Sequence, residues 1–231
     1  MSWITKTLTS SIGRKIVMAK TGLFLIIFLV VHLIGNITLL FEDGEAFNQY
    51  AHFMKHNKLI VASEVILFLG FLAHIVQGIA LVMQNKAARK QGYAVPHKNE
   101  KVSWTSKMMG PLGVVILVFL ILHLWDFFAF KYGIRTGLEL VSYDGVTMEN
   151  LFGRVINEFK NEISHAIFYP LAMIVVGLHL SHGFQSAFQT FGLNHKKYTP
   201  IIKCLGLAYS IVVPLLFALI PIMIYLGITI G

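Results

Sequence analysis

Apolar residues gather in five long blocks along the chain, each near the ~20 residues a helix needs to cross about 30 Å of hydrocarbon. The blocks run Ile16–Phe41, Leu59–Gln84, Met108–Phe130, Ile163–Gln189 and Cys204–Ile230. The reading is an all-α membrane protein, a five-transmembrane-helix bundle forming a single domain over residues 1–231. Lys6, Arg14 and Lys15 precede the first block as they would a signal peptide. That block is too long and lacks a small-residue cleavage site after it, so it is read as a mature helix. The second connection, Asn85–Lys107, is polar, contains Pro96 and has the composition of a cytoplasmic loop. The third, Lys131–Glu162, is the only long loop; its stretch Thr147–Phe159 (TMENLFGRVINEF) has apolar residues at helical spacing. A short amphipathic helix on the outer surface and a plain ordered loop both fit that stretch. No internal repeat or low-complexity segment stands out.

Composition supports the spans. Of 231 residues, 56% are hydrophobic and 13% charged, and the mean hydropathy is +0.70. An average soluble domain carries about 25% charged residues, so a water-soluble globule and a disordered chain are both excluded. The lone cysteine, Cys204, cannot make a disulfide framework, a thiolate metal site or an iron–sulfur cluster within this chain. Thirteen of the nineteen Lys and Arg residues lie in or beside the amino-terminal segment and the second and fourth connections. The positive-inside rule then expects a cytoplasmic amino terminus and an outer carboxyl terminus. The net charge of +8 is mostly a topology signal; with no binding motif beside the basic residues, nucleic acid is not an expected partner.

Histidine is the anomaly, ten against eleven Asp plus Glu. His32, His74, His123 and His179 each fall well inside a different block, and the last block has none. A histidine in hydrocarbon must face protein, water, a metal or a cofactor, because an unpaired ring nitrogen there is costly. Any one could make an interhelical hydrogen bond; one on each of four helices points to paired ligation. At about 1.5 Å per residue from the cytoplasmic ends, His32 and His123 lie roughly 20–24 Å deep and His74 and His179 roughly 15–16 Å deep. The set sorts into an outer pair, His32 with His123, and an inner pair, His74 with His179.

Zinc would want four ligands around one ion, with no thiolate or buried carboxylate at hand. A six-coordinate haem takes two axial ligands, so two pairs suit two b haems enclosed by the bundle. Gly70 and Gly78 flank His74 by one turn, Gly183 follows His179 by four and Gly35 follows His32 by three, clearing slots for a flat macrocycle. Close helix packing would use the same glycines. His182, three residues after His179, is a rival ligand or a partner for a propionate or carbonyl; the glycine one turn after His179 favours His179. Of the other histidines, His97 and His195 are read as solvated and His165 as lying at the outer edge of the fourth helix.

The residues resemble a known family. The segment Gly13–Asn36, with Lys20-Thr21-Gly22 leading to His32-Leu33-Ile34-Gly35-Asn36, is joined by Ala73-His74 and Gln77-Gly78, Leu122-His123-Leu124, and His179-Leu180-Ser181-His182-Gly183. In this order they resemble the single-chain, five-helix dihaem cytochrome b anchor of bacterial succinate dehydrogenases and fumarate reductases, over essentially the whole chain. The resemblance implies a multi-pass subunit of the bacterial cytoplasmic membrane in the respiratory succinate:quinone oxidoreductase. His32 with His123, and His74 with His179, would hold the irons of two b haems, passing electrons between an iron–sulfur subunit and membrane quinone. The expected partners are that iron–sulfur subunit, a flavoprotein, lipid and quinone, with a higher oligomer of the complex also open. FAD and iron–sulfur clusters would sit in the partners, because this chain has neither the cysteines nor a dinucleotide fingerprint.

Haem propionates need cationic partners at a membrane edge, and Lys20 could reach the inner one, as could Arg14 or Lys15; positive-inside anchoring explains all three equally. For the quinone, menaquinone by the look of an outward-facing dihaem anchor, the candidates are Asn48, Tyr50, His52 and His56 in the first connection and Asp126 after His123. Interfacial anchoring and solvation explain those residues as well. Glu64, Glu162 and Asp126 sit at span edges, so no carboxylate path through mid-membrane is expected. The alternatives are a cytochrome b subunit of another quinone-linked dehydrogenase or hydrogenase, or a transporter lined by histidine.

Overall fold

A computed structural model describes residues 10–41, 44–88 and 104–229. Lys6, Ile230 and most of the second connection, with Arg89, Lys90, Pro96, His97, Lys98 and Lys101, lie outside the described residues. The helices are α1 (Ser11–Ile37), α2 (Glu45–His56), α3 (Lys58–Ala88), α4 (Trp104–His123), α5 (Leu151–Asn161), α6 (Ile163–Thr190) and α7 (Thr199–Leu226). Five stretches are long and apolar enough to cross a membrane: Ser11–Leu40, Lys58–Ala87, Trp104–Lys131, Ile163–Thr190 and Thr199–Leu226. The chain is thus a multi-pass, all-α membrane bundle, as its hydropathy requires.

Local chemistry sets the helix ends. The Ser10 hydroxyl accepts from the Gly13 N–H at 3.0 Å and starts α1 five residues before the apolar run begins. Pro200 sits in the first turn of α7, where a missing N–H costs nothing, and Gly227, at φ 69°, closes it. The third span does not stay α-helical. After His123 it opens into a π turn, Leu124–Phe128, and finishes with Ala129–Lys131. Extra residues in such a turn re-aim the side chains it carries.

The connections hold more structure than their polarity announces. The first is helix α2. The third contains a hairpin, β1 (Leu140–Tyr143) with β2 (Val146–Glu149), followed by α5. Its turn is Asp144-Gly145, both at positive φ, which matches the twist of a two-residue hairpin. The stretch Thr147–Phe159 therefore opens with three strand residues, Thr147–Glu149; the helix begins only at Leu151, where the Asn150 side chain accepts from the Gly153 N–H at 2.8 Å.

Burial concentrates where α2, the hairpin and α5 cap the bundle, hereafter the hairpin end. Leu33, Leu39, Phe47, Phe159, Tyr169 and Ile220 belong to one core there. Along the membrane the helices meet through small residues. A Cβ on Gly177 of α6 would come within 2.8 Å of the Ser210 carbonyl oxygen of α7, so only glycine allows that approach. Helix α3 contributes no buried residue, and Leu69 and Leu72 stand about 60% exposed, as a hydrocarbon-facing surface requires.

Candidate functional site

Successive spans alternate in direction, so the first and third run one way and the second and fourth the other, and a fixed rise per residue brings residues at equal counts from one end to equal depth. The His32 ring of α1 lies 5.7 Å from the His123 ring at the end of α4, the planes crossing at 86°. The His74 ring of α3 lies 6.3 Å from the His179 ring of α6, at 68°. These are the two pairs that depth alone picks out. The first pair lies toward the hairpin end and the second toward the other end of the bundle.

The pairs sit in different surroundings. His32 stacks on Phe28, centroids 5.2 Å apart, and His123 on Phe119 at 5.7 Å. Asn36 Nδ2 also lies 3.4 Å from His32 Nδ1, and His74 is oriented by a hydrogen bond to Thr21. Thr21 Oγ1 donates back to the carbonyls of Val17 and Met18 at 2.9 and 3.1 Å, and lies 3.1 Å from His74 Nδ1. With its one hydrogen used on the backbone, the hydroxyl accepts from Nδ1–H, which leaves Nε2 of His74 with a free lone pair.

Among the described residues, five buried side-chain polar atoms have no hydrogen-bond partner: Gln77 Oε1, His123 Nδ1, His179 Nδ1, Arg154 Nε and His165 Nδ1. Three belong to the pairs or to the turn after His74. Orphaned polar atoms are few in folded proteins, and the other two, Arg154 Nε and His165 Nδ1, lie at a third place beside Glu158.

An iron between two imidazoles needs a nitrogen–metal bond of about 2 Å on each side plus half of each ring, roughly 6 Å between centroids. Both pairs meet that spacing with neutral nitrogen donors and no competing thiolate, so the residues fit bis-histidine haem ligation. The glycines divide. A Cβ on Gly183 meets nothing within 4 Å, whereas Gly35 accommodates the Tyr50 ring, Gly70 faces Phe24 and Gly78 faces the Met18 methyl. Open space lies beside Gly183, while the other three face packed side chains. His182 is half-buried, with no ring partner of its own among the described contacts, while His179 meets His74 across the bundle. Lys20 is exposed on α1, beside Thr21.

The quinone candidates do not converge. Asn48 is 1% exposed and fully engaged: its amide nitrogen donates to Asn150 Oδ1 at 3.1 Å and to the Tyr143 hydroxyl at 3.3 Å, and its oxygen accepts from the Phe152 N–H at 2.9 Å. It pins α2 to the hairpin and α5 and is not solvated as a loop residue would be. Tyr50 lies against Gly35, and burial raises its phenol above the usual value. His52 and His56 sit one turn apart with rings 4.1 Å apart, His56 Nδ1 donating to the His52 carbonyl at 2.8 Å, and line a surface groove of about 480 Å³ with Tyr143 and Met148.

Asp126 belongs to a cluster that single-residue reasoning missed. Carried on the π turn and 7% exposed, it accepts from the Tyr169 hydroxyl at 2.8 Å. His165 Nε2 lies 3.4 Å from the same carboxylate oxygen and 3.3 Å from Glu158 Oε1, and Arg154 holds the other oxygen of Glu158. Asp126, Glu158 and His165 place their ligand atoms within 4.8 Å of one another. The only hint in the sequence was His165 and Tyr169 one turn apart on a helix that also carries His179. Lower on the same end, Glu64 pairs with Lys131 and accepts from the Tyr132 hydroxyl at 2.8 Å, which raises that phenol.

Comparison with family models, with curated proteins and with solved structures finds no match for the chain.

Proposed function

We propose that this chain is the dihaem cytochrome b membrane anchor of a succinate:quinone oxidoreductase, a succinate dehydrogenase or fumarate reductase of the bacterial cytoplasmic membrane. One observation carries it: two histidine pairs, each spanning two helices, with centroid separations of 5.7 and 6.3 Å, at two levels of an apolar bundle. His32 and His123 hold one iron, and His74 and His179 the other. When bound, each haem supplies reversible one-electron chemistry, its potential tuned by axial ligands, burial and nearby charge.

The chain's own residues do the rest. Thr21 fixes the His74 tautomer so that Nε2 faces the metal, the second-sphere device that conserves ligand geometry. Phe28 and Phe119 hold His32 and His123 by stacking and keep water from their side of the bundle. Lys20 offers a cation for a propionate at the end away from the hairpin. The positive-inside count puts that end in the cytoplasm, where an iron–sulfur subunit docks beside a flavoprotein. Menaquinone reacts at the opposite, outer end, near the His52–His56 groove and the Asp126 cluster.

The test is colour and ligand replacement. The purified chain should show b-type absorption at two haems per chain, and His74→Ala should remove one haem and leave the bundle inserted. Two haems with unaltered spectra after His74→Ala would overturn the ligand assignment; no haem at all would leave the transporter reading in its place. Comparing His179→Ala with His182→Ala identifies the fourth ligand by which change abolishes iron ligation. Copurification with a flavoprotein and succinate-dependent quinone reduction separates this subunit from a hydrogenase cytochrome.

A further inference from the structure

We propose that Asp126, His165 and Glu158 form a proton relay at the hairpin end, passing protons between the quinone-reactive region and the water outside. The proposal rests on the quinone-linked haem reading above and adds to it the route the protons take.

The geometry is that of a shuttle. A single nitrogen, His165 Nε2, stands at nearly equal distance from two carboxylates on two other elements, 3.4 Å from Asp126 Oδ2 and 3.3 Å from Glu158 Oε1. One N–H serves only one acceptor at a time, and neither distance is that of a tight bond, so a small rotation of the ring redirects it. The carboxylates are otherwise held still. Tyr169 donates to Asp126 Oδ2 from the same helix as His165, and Arg154 binds Glu158 Oε2, leaving Oε1 to face the imidazole. Asp126 is brought in by the π turn that follows His123 directly. At the far end the His165 side chain is 28% exposed, against about a tenth for either carboxylate, so the cluster opens to water on that side.

Every group facing His165 has a place in the balance. Oxidation of a quinol gives up two electrons, one at a time, to the redox chain, and two protons. Each proton is taken by the Asp126 carboxylate and moves from the resulting acid to Nε2 of neutral His165, restoring the carboxylate. The imidazolium, held between Asp126 and Glu158, releases the same proton to water on the exposed side of His165, while Glu158 Oε1 keeps the ring turned toward Asp126. Arg154 holds Glu158 Oε2, which keeps Oε1 facing the ring. Tyr169 stays protonated throughout and positions Asp126. Quinone reduction runs the same steps in reverse. A divalent cation on the same three ligands fits less well, because the Arg154 guanidinium already occupies the charge of Glu158.

The alternative is a plain structural tie between α5, α6 and the third span, and the test separates the two. The measurement is oxidation of a water-soluble naphthoquinol by the intact membrane complex, with His165→Ala, Asp126→Asn and Glu158→Gln compared with the wild type. Losing a positioned proton carrier typically costs about 10²–10⁴-fold. His165→Ala should slow turnover at least 10²-fold with both haem spectra retained, introduce a solvent deuterium isotope effect, and recover with added imidazole. Glu158→Asp should keep most activity where Glu158→Gln does not. Unchanged turnover in His165→Ala, or a loss that neither imidazole nor buffer restores, overturns the relay and leaves the haem reading standing. A wild-type complex without b haem or quinol oxidation overturns both.

Discussion

Thr21 on α1 and His74 on α3 meet hydroxyl to ring nitrogen at 3.1 Å, and because the hydroxyl already donates to the backbone, the histidine is the donor. This fixes which nitrogen of His74 is available. Partners of this kind are typically worth about 10–100-fold in metal affinity. Thr21→Val should therefore lower occupancy of the second pair's haem by about that factor, and Thr21→Ser should restore it; haem titration of the purified variants measures both.

Gly183 is the glycine of the second pair with open space beyond it, since a Cβ there meets nothing within 4 Å. On protein contacts alone, Gly183→Ala should be tolerated, and Gly183→Leu extends into the same space. If a macrocycle lies against His179, the leucine occupies its place. The expected result is a Gly183→Leu bundle of unchanged thermal stability that holds about one haem in place of two, read from pyridine haemochrome content.

What was legible before the structure follows from which signals are one-dimensional. A polar ring within an apolar run is visible at once, and a constant rise of about 1.5 Å per residue turns position into depth, so His32 with His123 and His74 with His179 could be matched by counting. The spans were legible for the same reason. The Asp126 cluster was not, because its members come from the third span, α5 and α6, and they meet only through a π turn that leaves no trace in the hydropathy. The structural role of Asn48 was hidden for the opposite reason: its partners Tyr143, Asn150 and Phe152 lie about a hundred residues on. The glycines show the limit of spacing arguments. Gly35, Gly70 and Gly78 stand near ligands in sequence, yet Tyr50, Phe24 and Met18 are what they admit.

The α6–α7 contact depends on Gly177. A methyl group there would stand 2.8 Å from the Ser210 carbonyl oxygen, a backbone atom that cannot turn aside. Overpacking of this kind typically costs about 1–3 kcal/mol. Gly177→Ala should lower the thermal midpoint in detergent, and Gly177→Leu should lower it further. Since α7 carries no histidine, any haem content at low temperature should be little changed.

Asn48 separates structure from quinone chemistry. Replacing it with Ala takes the side-chain partner from the Phe152 N–H and the Tyr143 hydroxyl and leaves Asn150 Oδ1 with the Gly153 N–H alone, at a typical cost of about 1–3 kcal/mol for each buried group left unpaired. The loss falls on the docking of α2 against the hairpin and α5, away from both histidine pairs. Asn48→Ala should thus speed proteolysis within residues 132–150 and lower thermal stability, while the KM for naphthoquinol of the protein that remains folded stays within about twofold of wild type. A large rise in KM at unchanged protease resistance would return Asn48 to the quinone site.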